Sequence, residues 1–478
     1  MPAIVVPRLS RGLRDLLPEQ TLPRQRMIDT IRGVYELYGF VPLTTPAIEY
    51  LDVLRGSEAG SEAAASIFTV SNPEQEQLGL RFDLTVPLAR VIAQYKELPR
   101  PFRRYQVAPV WRADKPGPGR FREFTQFDLD SVGVESEIAD TEVIAGMCDT
   151  LSALGVDYRV KFSSREVLNL LMEFAGLAPE RGKDVFRVLD KLDKVGIDKV
   201  KLELTTGYHD VSGDFIPGLA LSAGQVDKVV HFLAIRSEDR REVVAQLREL
   251  FAEVTGGRER IAVVERISHQ LYSLGYGDEQ VTLDLSIARG LAYYTGPVFE
   301  AILLDAPQYG SVFGGGRYDD LVMRFLGEKV PATGASIGVD RLLAALVHLG
   351  KAVGQKATAK VLVVAMDPAL QDDYLAVTFE LRRAGVPTEL YLGTEKGIGK
   401  QLKYADQCGV PIALLLGSEE KARGVVTLKD MEVGRRRAQA LADRKDWLEE
   451  RPGQVVVRRE ELVAGTRELL ARIEAAPR

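Results

Sequence analysis

The residues of this chain that could do chemistry gather in four short stretches. In the first, Arg122, Phe124, Gln126, Asp128 and Asp130 fall on one parity, and Phe121, Glu123, Thr125, Phe127 and Leu129 on the other. Residues two apart share a face of an extended strand. One face then carries a cation, an aromatic ring, an amide and two carboxylates, which is expensive to bury unless it forms a site. A solvated strand face has the same pattern. Arg112 and Asp114 stand just upstream, followed by a Pro/Gly-rich stretch that ends at Arg120. The second stretch, Arg81-Phe82-Asp83-Leu84-Thr85, puts charge and hydroxyl at a strand end before a helix. There Asp83 or Thr85 either faces a ligand or caps the helix. The third is Arg289-Gly290-Leu291-Ala292-Tyr293-Tyr294-Thr295-Gly296, between two apolar runs. It reads as strand, tight bend, strand, and an ordinary hairpin with packed tyrosines and a solvated arginine satisfies it equally. The fourth, Gly338-Val339-Asp340-Arg341, delivers an arginine at a helix start, facing either a ligand or water. Arginines neutralise phosphate. An aromatic ring stacks a base. Carboxylates recognise an amine or an imidazole.

Other chemistries find little support. The two cysteines, Cys148 and Cys408, form no CxxC pair, so neither a disulfide framework nor a zinc-thiolate site is expected, and a reducing compartment fits. The four histidines show no HxxxH or HExxH spacing. Phe313-Gly314-Gly315-Gly316-Arg317 has neither Walker nor GxGxxG spacing; three consecutive glycines more plausibly let another chain or a ligand backbone approach. No serine, cysteine or lysine stands out as a nucleophile.

These stretches need elements to hold them. Period and stop signals predict a helix over 21–39, with extended chain over 40–50 because prolines exclude a helix interior. Segments 67–70 and 78–82 predict a hairpin, and 86–95 a helix. The first stretch predicts two strands joined by the 115–120 loop. An amphipathic helix over 135–154 and a strand over 158–163 follow. From 164 to 275 the pattern turns to helices with charged faces, read as an inserted helical subdomain. Strands resume at 281–285 and 298–304, then a small-residue strand runs into the helix that carries Arg341. Past 349–360, Gly/Ala/Lys-rich, strand-helix alternation predicts a small α/β module with a mostly parallel sheet.

At 478 residues the chain exceeds one ordinary core, so two to four domains are expected. Net charge of −6 argues against a blanket of positive charge but leaves room for a local basic face. No apolar run approaches a membrane span, and the first ten residues lack the apolar core of a secretory signal. A soluble cytoplasmic protein is the default expectation.

Together these pieces resemble the class II aminoacyl-tRNA synthetases, most closely the histidyl-tRNA synthetases. The segment 39–50 with Pro46 resembles their dimer-forming segment, 102–130 the strand-loop-strand that holds ATP, and 334–343 with Arg341 the third shared segment. More specific are Arg289 to Gly296, Leu80 to Thr85, Gly315-Gly316-Arg317-Tyr318-Asp319 and Arg11-Gly12-Leu13-Arg14-Asp15. Lys400 to Ala405 and Leu416 to Glu419 resemble the family's anticodon-binding domain.

The resemblance implies an α/β (α+β) chain: an antiparallel-sheet catalytic domain over 1–163 and 276–352, a helical insertion over 164–275, and an α/β anticodon-binding domain over 358–478. It implies a homodimer that ligates L-histidine to tRNA(His) through histidyl-adenylate, using ATP with Mg²⁺. Arg112 would hold the α-phosphate and the histidine carboxylate, Phe124 would stack on adenine with Asp114 near its amino group, and Arg341, helped by Arg120, would bind the far end of the triphosphate. Asp83, Leu84, Thr85 and Gln126 would line the substrate's ammonium and carboxylate end. Asp130 and Tyr294 would grip the imidazole with Tyr293 beside them, and Arg289 would sit over the α-phosphate. Catalysis would rest on Arg289, Arg112 and Gln126. The chain departs from the pattern at Ala292, where an acid is common, and carries Asp83 and Asp130 where some members have glutamate. A regulatory paralogue would be expected to lack Arg289 and the C-terminal module, and the Arg289–Gly296 motif speaks against another amino acid.

Overall fold

The computed structural model describes residues 5–56, 66–117, 121–210, 213–287, 294–352, 356–433 and 453–475. The chain divides into two compact units, Met1–Arg14 with Arg26–Ala352, and Asp15–Gln25 with Val353–Arg478.

The first unit is built on an eight-stranded sheet. Its strands are β1 (Val41–Pro42), β2 (Phe102–Trp111), β3 (Glu123–Val132), β4 (Tyr158–Ser164), β5 (Val281–Leu283), β6 (Pro297–Leu303), β7 (Ser311–Arg317) and β8 (Ala332–Gly338). They lie in the order β1-β2-β3-β8-β7-β6-β4-β5. The inner pairings are antiparallel, and only the edge pairs β1·β2 and β4·β5 are parallel. The two apolar runs flanking the Arg289 stretch are therefore not a hairpin. β5 and β6 lie on opposite sides of β4, because β4 offers each of them a ladder.

Alternation sorts the two faces of this sheet. Tyr105, Phe127 and Leu129 enter the core with Met27, Ile31 and Tyr35 of helix α1 (Pro18–Leu37). The Tyr35 and Phe127 rings meet edge-on, their centroids 5.0 Å apart. Helix α2 (Thr85–Gln94) buries Val86, Leu88, Ala89 and Ile92. Helix α3 (Ile138–Ala153) is buried on most of its circumference rather than on one stripe, since it is packed against both the sheet and the helix Gly257–Ser273. Helix α4 (Val339–His348) continues directly from β8 and buries Val339, Leu342, Leu343 and Leu346. Seven helices lie between Arg165 and Ser273 among the described residues, and they share a continuous apolar core with the sheet. A small hairpin, Gly207–His209 with Phe215–Pro217, interrupts them; its three-residue strands are too short for a periodicity signal.

The second unit has strands β9 (Val361–Val363), β10 (Thr388–Leu390), β11 (Ile412–Leu415), β12 (Val425–Asp430) and β13 (Gln454–Arg458), in the order β10-β9-β11-β12-β13. The first three are mutually parallel, as alternation with helices requires. The expectation of a mostly parallel sheet stops there. β11, β12 and β13 pair antiparallel.

Candidate functional site

Strands β3, β8, β7 and β6 contribute the walls of a cavity of about 730 Å³. Arg112, Asp114, Phe124, Gln126, Tyr294 and Arg341, which the sequence places in separate stretches, all line it. Register explains the convergence. Gln126 of β3 is opposite Gly338 of β8, and Asp128 is opposite Ser336, so the parity face of β3 continues across β8 and leads to Arg341 at the start of α4.

The cations are held in aimed positions. Arg112 Nε donates to the Phe82 carbonyl (3.1 Å), and its guanidinium carbon lies 5.1 Å from the Phe124 ring centroid. Arg341 Nη1 donates to the Ser311 carbonyl (2.7 Å). Asp340 is fixed from two sides: Oδ1 accepts from Arg14 Nη2 (2.6 Å), and Oδ2 from the Thr125 backbone N–H (2.8 Å). Arg14 also lies over the Phe121 ring, 3.7 Å from its centroid. Two cations and an aromatic ring along one wall can take a nucleoside phosphate, the ring against the base and the guanidinium groups against phosphate oxygens.

Asp83, Leu84, Thr85 and Asp130 are not in that lining. Asp83 accepts the Val86 N–H (3.0 Å), so the helix-capping role is met. Thr85 opens α2, and Leu84 is buried with its carbonyl accepting from Arg104 Nη2 (3.1 Å). Asp130 is buried: Oδ2 lies 2.9 Å from Arg104 Nη2, and Oδ1 accepts from the Tyr318 hydroxyl. Asp128, also buried, is 3.9 Å from the same Arg104 nitrogen. Arg120, Arg289 and Tyr293 lie outside the described residues, as does Ala292. Arg122 does not reach the cavity lining. Its Nε donates to the Asp114 carbonyl (3.1 Å), a structural tie.

Two carboxylates, Asp128 and Asp130, thus face one buried arginine, Arg104. Burial raises the pKa of Asp83, Asp128 and Asp130; Arg104 draws Asp128 and Asp130 part of the way back, and the Val86 N–H followed by Arg112 does so for Asp83. Asp128 reaches about 7, with Asp130 adding repulsion. Tyr294 is also raised, first by burial and then by Asp130, Asp128 and Asp83, so its phenol stays protonated and can donate. Tyr294 and Asp130 sit over the paired glycines Gly316 and Gly334: a Cβ on Gly316 would come within 2.8 Å of Tyr294 Cδ1, and one on Gly334 would collide with Asp130 Oδ1. Gly315 instead abuts β8, where a Cβ would strike the Gly334 carbonyl. Gly315, Gly316 and Gly334 therefore serve close approach within the protein, whereas a Cβ on Gly314, which lines the cavity, would meet nothing nearer than 3.8 Å. A site with excess negative charge and a phenol donor suits an ammonium or an imidazole.

Several contributors escaped the sequence reading: Arg104, Tyr318, Ser336, Asp340 and Glu300. Arg104 had a findable signal, since folding 102–130 as a hairpin pairs it with Asp130. Ser336 shares its parity with Gly334 and Gly338. Tyr318 stood in the Gly315–Asp319 segment without a role, because its contact with Asp130 spans 188 residues.

A family model described as histidyl-tRNA synthetase matches residues 12–342, and one described as anticodon binding domain matches residues 360–451. The chain is 45% identical over 483 residues to the histidine–tRNA ligase of Cereibacter sphaeroides, covering 96% of this chain and 97% of that protein. It is 44% identical over 479 residues to the same-named protein of Ruegeria pomeroyi, covering 96% of each. The crystal structure of histidyl-tRNA synthetase from Nostoc sp. PCC 7120 superposes with a TM-score of 0.81 at 31% identity, covering 98% of this chain and 100% of that one.

Proposed function

The chain belongs to the histidyl-tRNA synthetase family, and on that premise we propose that it ligates L-histidine to tRNA(His) in two steps within the cavity between β3, β8, β7 and β6. The observation that supports this most directly is the convergence of Arg112, Phe124, Gln126, Tyr294 and Arg341 on that cavity, beside the buried acids of β3.

In the first step the histidine carboxylate attacks the α-phosphorus of ATP in line, forming histidyl-adenylate and releasing pyrophosphate. Negative charge builds on non-bridging oxygens, so fixed cations do most of the work. Arg112 holds the α-phosphate and the carboxylate. Phe124 stacks on adenine with Asp114 near its amino group. Arg341 binds the far end of the triphosphate, with Arg120 assisting. Arg289 lies over the α-phosphate. Mg²⁺ brought in with ATP would neutralise phosphate charge. In the second step a ribose hydroxyl at the tRNA 3′ end attacks the mixed anhydride, and AMP leaves.

Histidine is selected by Asp130 and Tyr294, with Tyr293 beside them. Groups built to pair with both ring nitrogens are left unpaired by other side chains, a large penalty. Asp83, Leu84, Thr85 and Gln126 surround the ammonium and carboxylate. The module over 358–478 reads the anticodon, 164–275 is an insertion in the catalytic domain, and the enzyme works as a cytoplasmic homodimer. Among the described residues no helix is long and apolar enough to cross a membrane.

Amino-acid-dependent exchange of labelled pyrophosphate into ATP tests this. Histidine should support exchange, and proline, threonine and glycine should not. Intact histidine binding without exchange would overturn the catalytic reading.

A further inference from the structure

The two groups assigned to the imidazole come from different parts of the sheet. Asp130 is on β3, whereas Tyr294 precedes β6 and packs over Gly316 of β7. β8 separates β3 from β7, so the two backbones lie about 9–10 Å apart. Asp130 is held by ladders on both sides, opposite Gly334 of β8 and Arg104 of β2. Tyr294 stands outside the described ladders. The β6·β7 ladder begins at the Val298–Gly316 pair, and Pro297 has no N–H with which to extend it.

Thr295 makes the connection instead. Its N–H donates to the Arg317 carbonyl (2.7 Å). Its hydroxyl donates to the same oxygen (3.3 Å) and accepts the Asp319 N–H (3.1 Å). A hydroxyl has one proton to give and a carbonyl oxygen has two lone pairs, so the three bonds are compatible. The far side of this clasp is itself fixed. Arg317 Nε and Nη2 donate to Asp140 Oδ2 of α3 (3.0 and 2.6 Å), and Nη1 donates to the Val134 carbonyl (2.9 Å). The Arg317 side chain passes against Gly296, where a Cβ would lie 3.0 Å from Arg317 Cδ. Asp319 Oδ1 accepts the Ala332 N–H at the start of β8 (3.1 Å). Between them stands Tyr318, whose hydroxyl donates to Asp130. The tripeptide Arg317-Tyr318-Asp319 thus holds the chain next to Tyr294 and touches Asp130 as well.

We propose that Thr295 is a positioning residue for histidine recognition: its hydroxyl, bound between the Arg317 carbonyl and the Asp319 N–H, sets Tyr294 at the spacing from Asp130 that an imidazole requires. This rests on the reading of Asp130 and Tyr294 as the imidazole grip. Thr295 does not line the cavity, so it acts through Tyr294, which does. Two groups that must meet both nitrogens of one small ring tolerate little error, and a misplacement of about 1 Å can cost roughly a hundredfold. Without the hydroxyl, the Thr295 side chain holds nothing and the Asp319 N–H loses its acceptor. The chain after Tyr294 could then pivot about the one remaining backbone bond.

The test compares full-length wild type, Thr295→Val, Thr295→Ser, Tyr294→Phe and the double variant Tyr294→Phe with Thr295→Val by pyrophosphate exchange. Tyr294→Phe must first raise KM for histidine; if it does not, the reading of the imidazole grip has failed, independently of the clasp. Thr295→Val keeps the shape and removes the hydroxyl. It should raise KM for histidine roughly five- to twentyfold, leave KM for ATP within about twofold, and change kcat little. Thr295→Ser restores the hydroxyl and should stay within about twofold of wild type for both substrates. In the Tyr294→Phe background the valine should add nothing to KM for histidine, because the phenol it would misplace is already gone. A merely structural threonine would give additive effects there. The proposal is wrong if Thr295→Val leaves KM for histidine within twofold, if KM for ATP rises equally, if serine does not restore it, or if the two effects add. Should Thr295→Val fail to fold, Thr295→Ala carries the same comparison, since it removes the hydroxyl without placing a methyl group against the Arg317 carbonyl.

Discussion

Arg14 Nη2 lies 2.6 Å from Asp340 Oδ1, joining residues 326 apart, and Asp340 immediately precedes Arg341. The other Asp340 oxygen accepts the Thr125 N–H of β3. The first turn of α4 is thereby tied to both the N-terminal segment and the strand that carries Phe124. Arg14 does not line the cavity. Its effect on ATP should pass through the aim of Arg341.

Arg14→Ala should therefore raise KM for ATP about five- to twentyfold in pyrophosphate exchange, while KM for histidine stays within about twofold. An equal rise in both would mean that the tie supports the whole site and not the triphosphate end.

Arg104 is fully buried, 2.9 Å from Asp130 and 3.9 Å from Asp128. Removing one partner of a buried ion pair leaves uncompensated charge, typically costing about 3–5 kcal/mol. Arg104→Met should lower stability by roughly that amount in urea unfolding, and Arg104→Met combined with Asp130→Leu should recover part of it. A loss under about 1 kcal/mol in the single variant would show that solvent reaches the cluster and screens it.

Much of this cluster was legible in the sequence as parity. Phe124, Gln126, Asp128 and Asp130 had to share a face, because a strand repeats every two residues. The strand and helix that deliver Arg341 were legible for a similar reason, small residues running into a 3.6-residue apolar period. What stayed hidden was pairing between distant segments. Nothing local says that β4 intervenes between β5 and β6, so the stretch around Arg289 looked like a hairpin. Nothing local ties Tyr318 to Asp130 or Arg14 to Asp340 either. Composition marked Asp83 as both a cap and a site residue. The structure gives it the cap contact while leaving it electrostatically within the acidic group.

Asp128 makes stability depend on pH in a definite direction. Its native pKa is pushed up to about 7, against about 3.9 in an unfolded chain. Between those values the native state holds a proton that the unfolded state has released. The stabilisation from this group is complete below about pH 4 and is lost as pH rises through about 7. Arg104, Asp130 and Asp83 act on the carboxyl, and Asp128→Asn removes its titration. The stability of wild type relative to Asp128→Asn should fall from pH 5 to pH 8, with a slope of up to about 1.4 kcal/mol per pH unit. Urea midpoints of both proteins across that range measure it. A constant difference would mean that Asp128 titrates alike in both states.

Arg112 and Phe124 should fail in different ways when altered. The Arg112 guanidinium is anchored through Nε to the Phe82 carbonyl and leans toward the Phe124 ring. Lysine keeps the charge but has neither the planar fork nor a nitrogen at the Nε position, so it cannot make that anchor while reaching an α-phosphate. Arg112→Lys should cut kcat for pyrophosphate exchange about a hundredfold with a smaller change in KM for ATP, because the interaction strengthens as charge develops. Phe124→Leu keeps apolar volume and loses the ring face. Stacking a base on an aromatic side chain contributes about 1–3 kcal/mol, so KM for ATP should rise about ten- to a hundredfold while kcat at saturating ATP is largely kept. The two variants together separate transition-state charge from ground-state stacking. If Arg112→Lys changed only KM, or Phe124→Leu only kcat, the assignment of phosphate to one and adenine to the other would have to be reversed or abandoned.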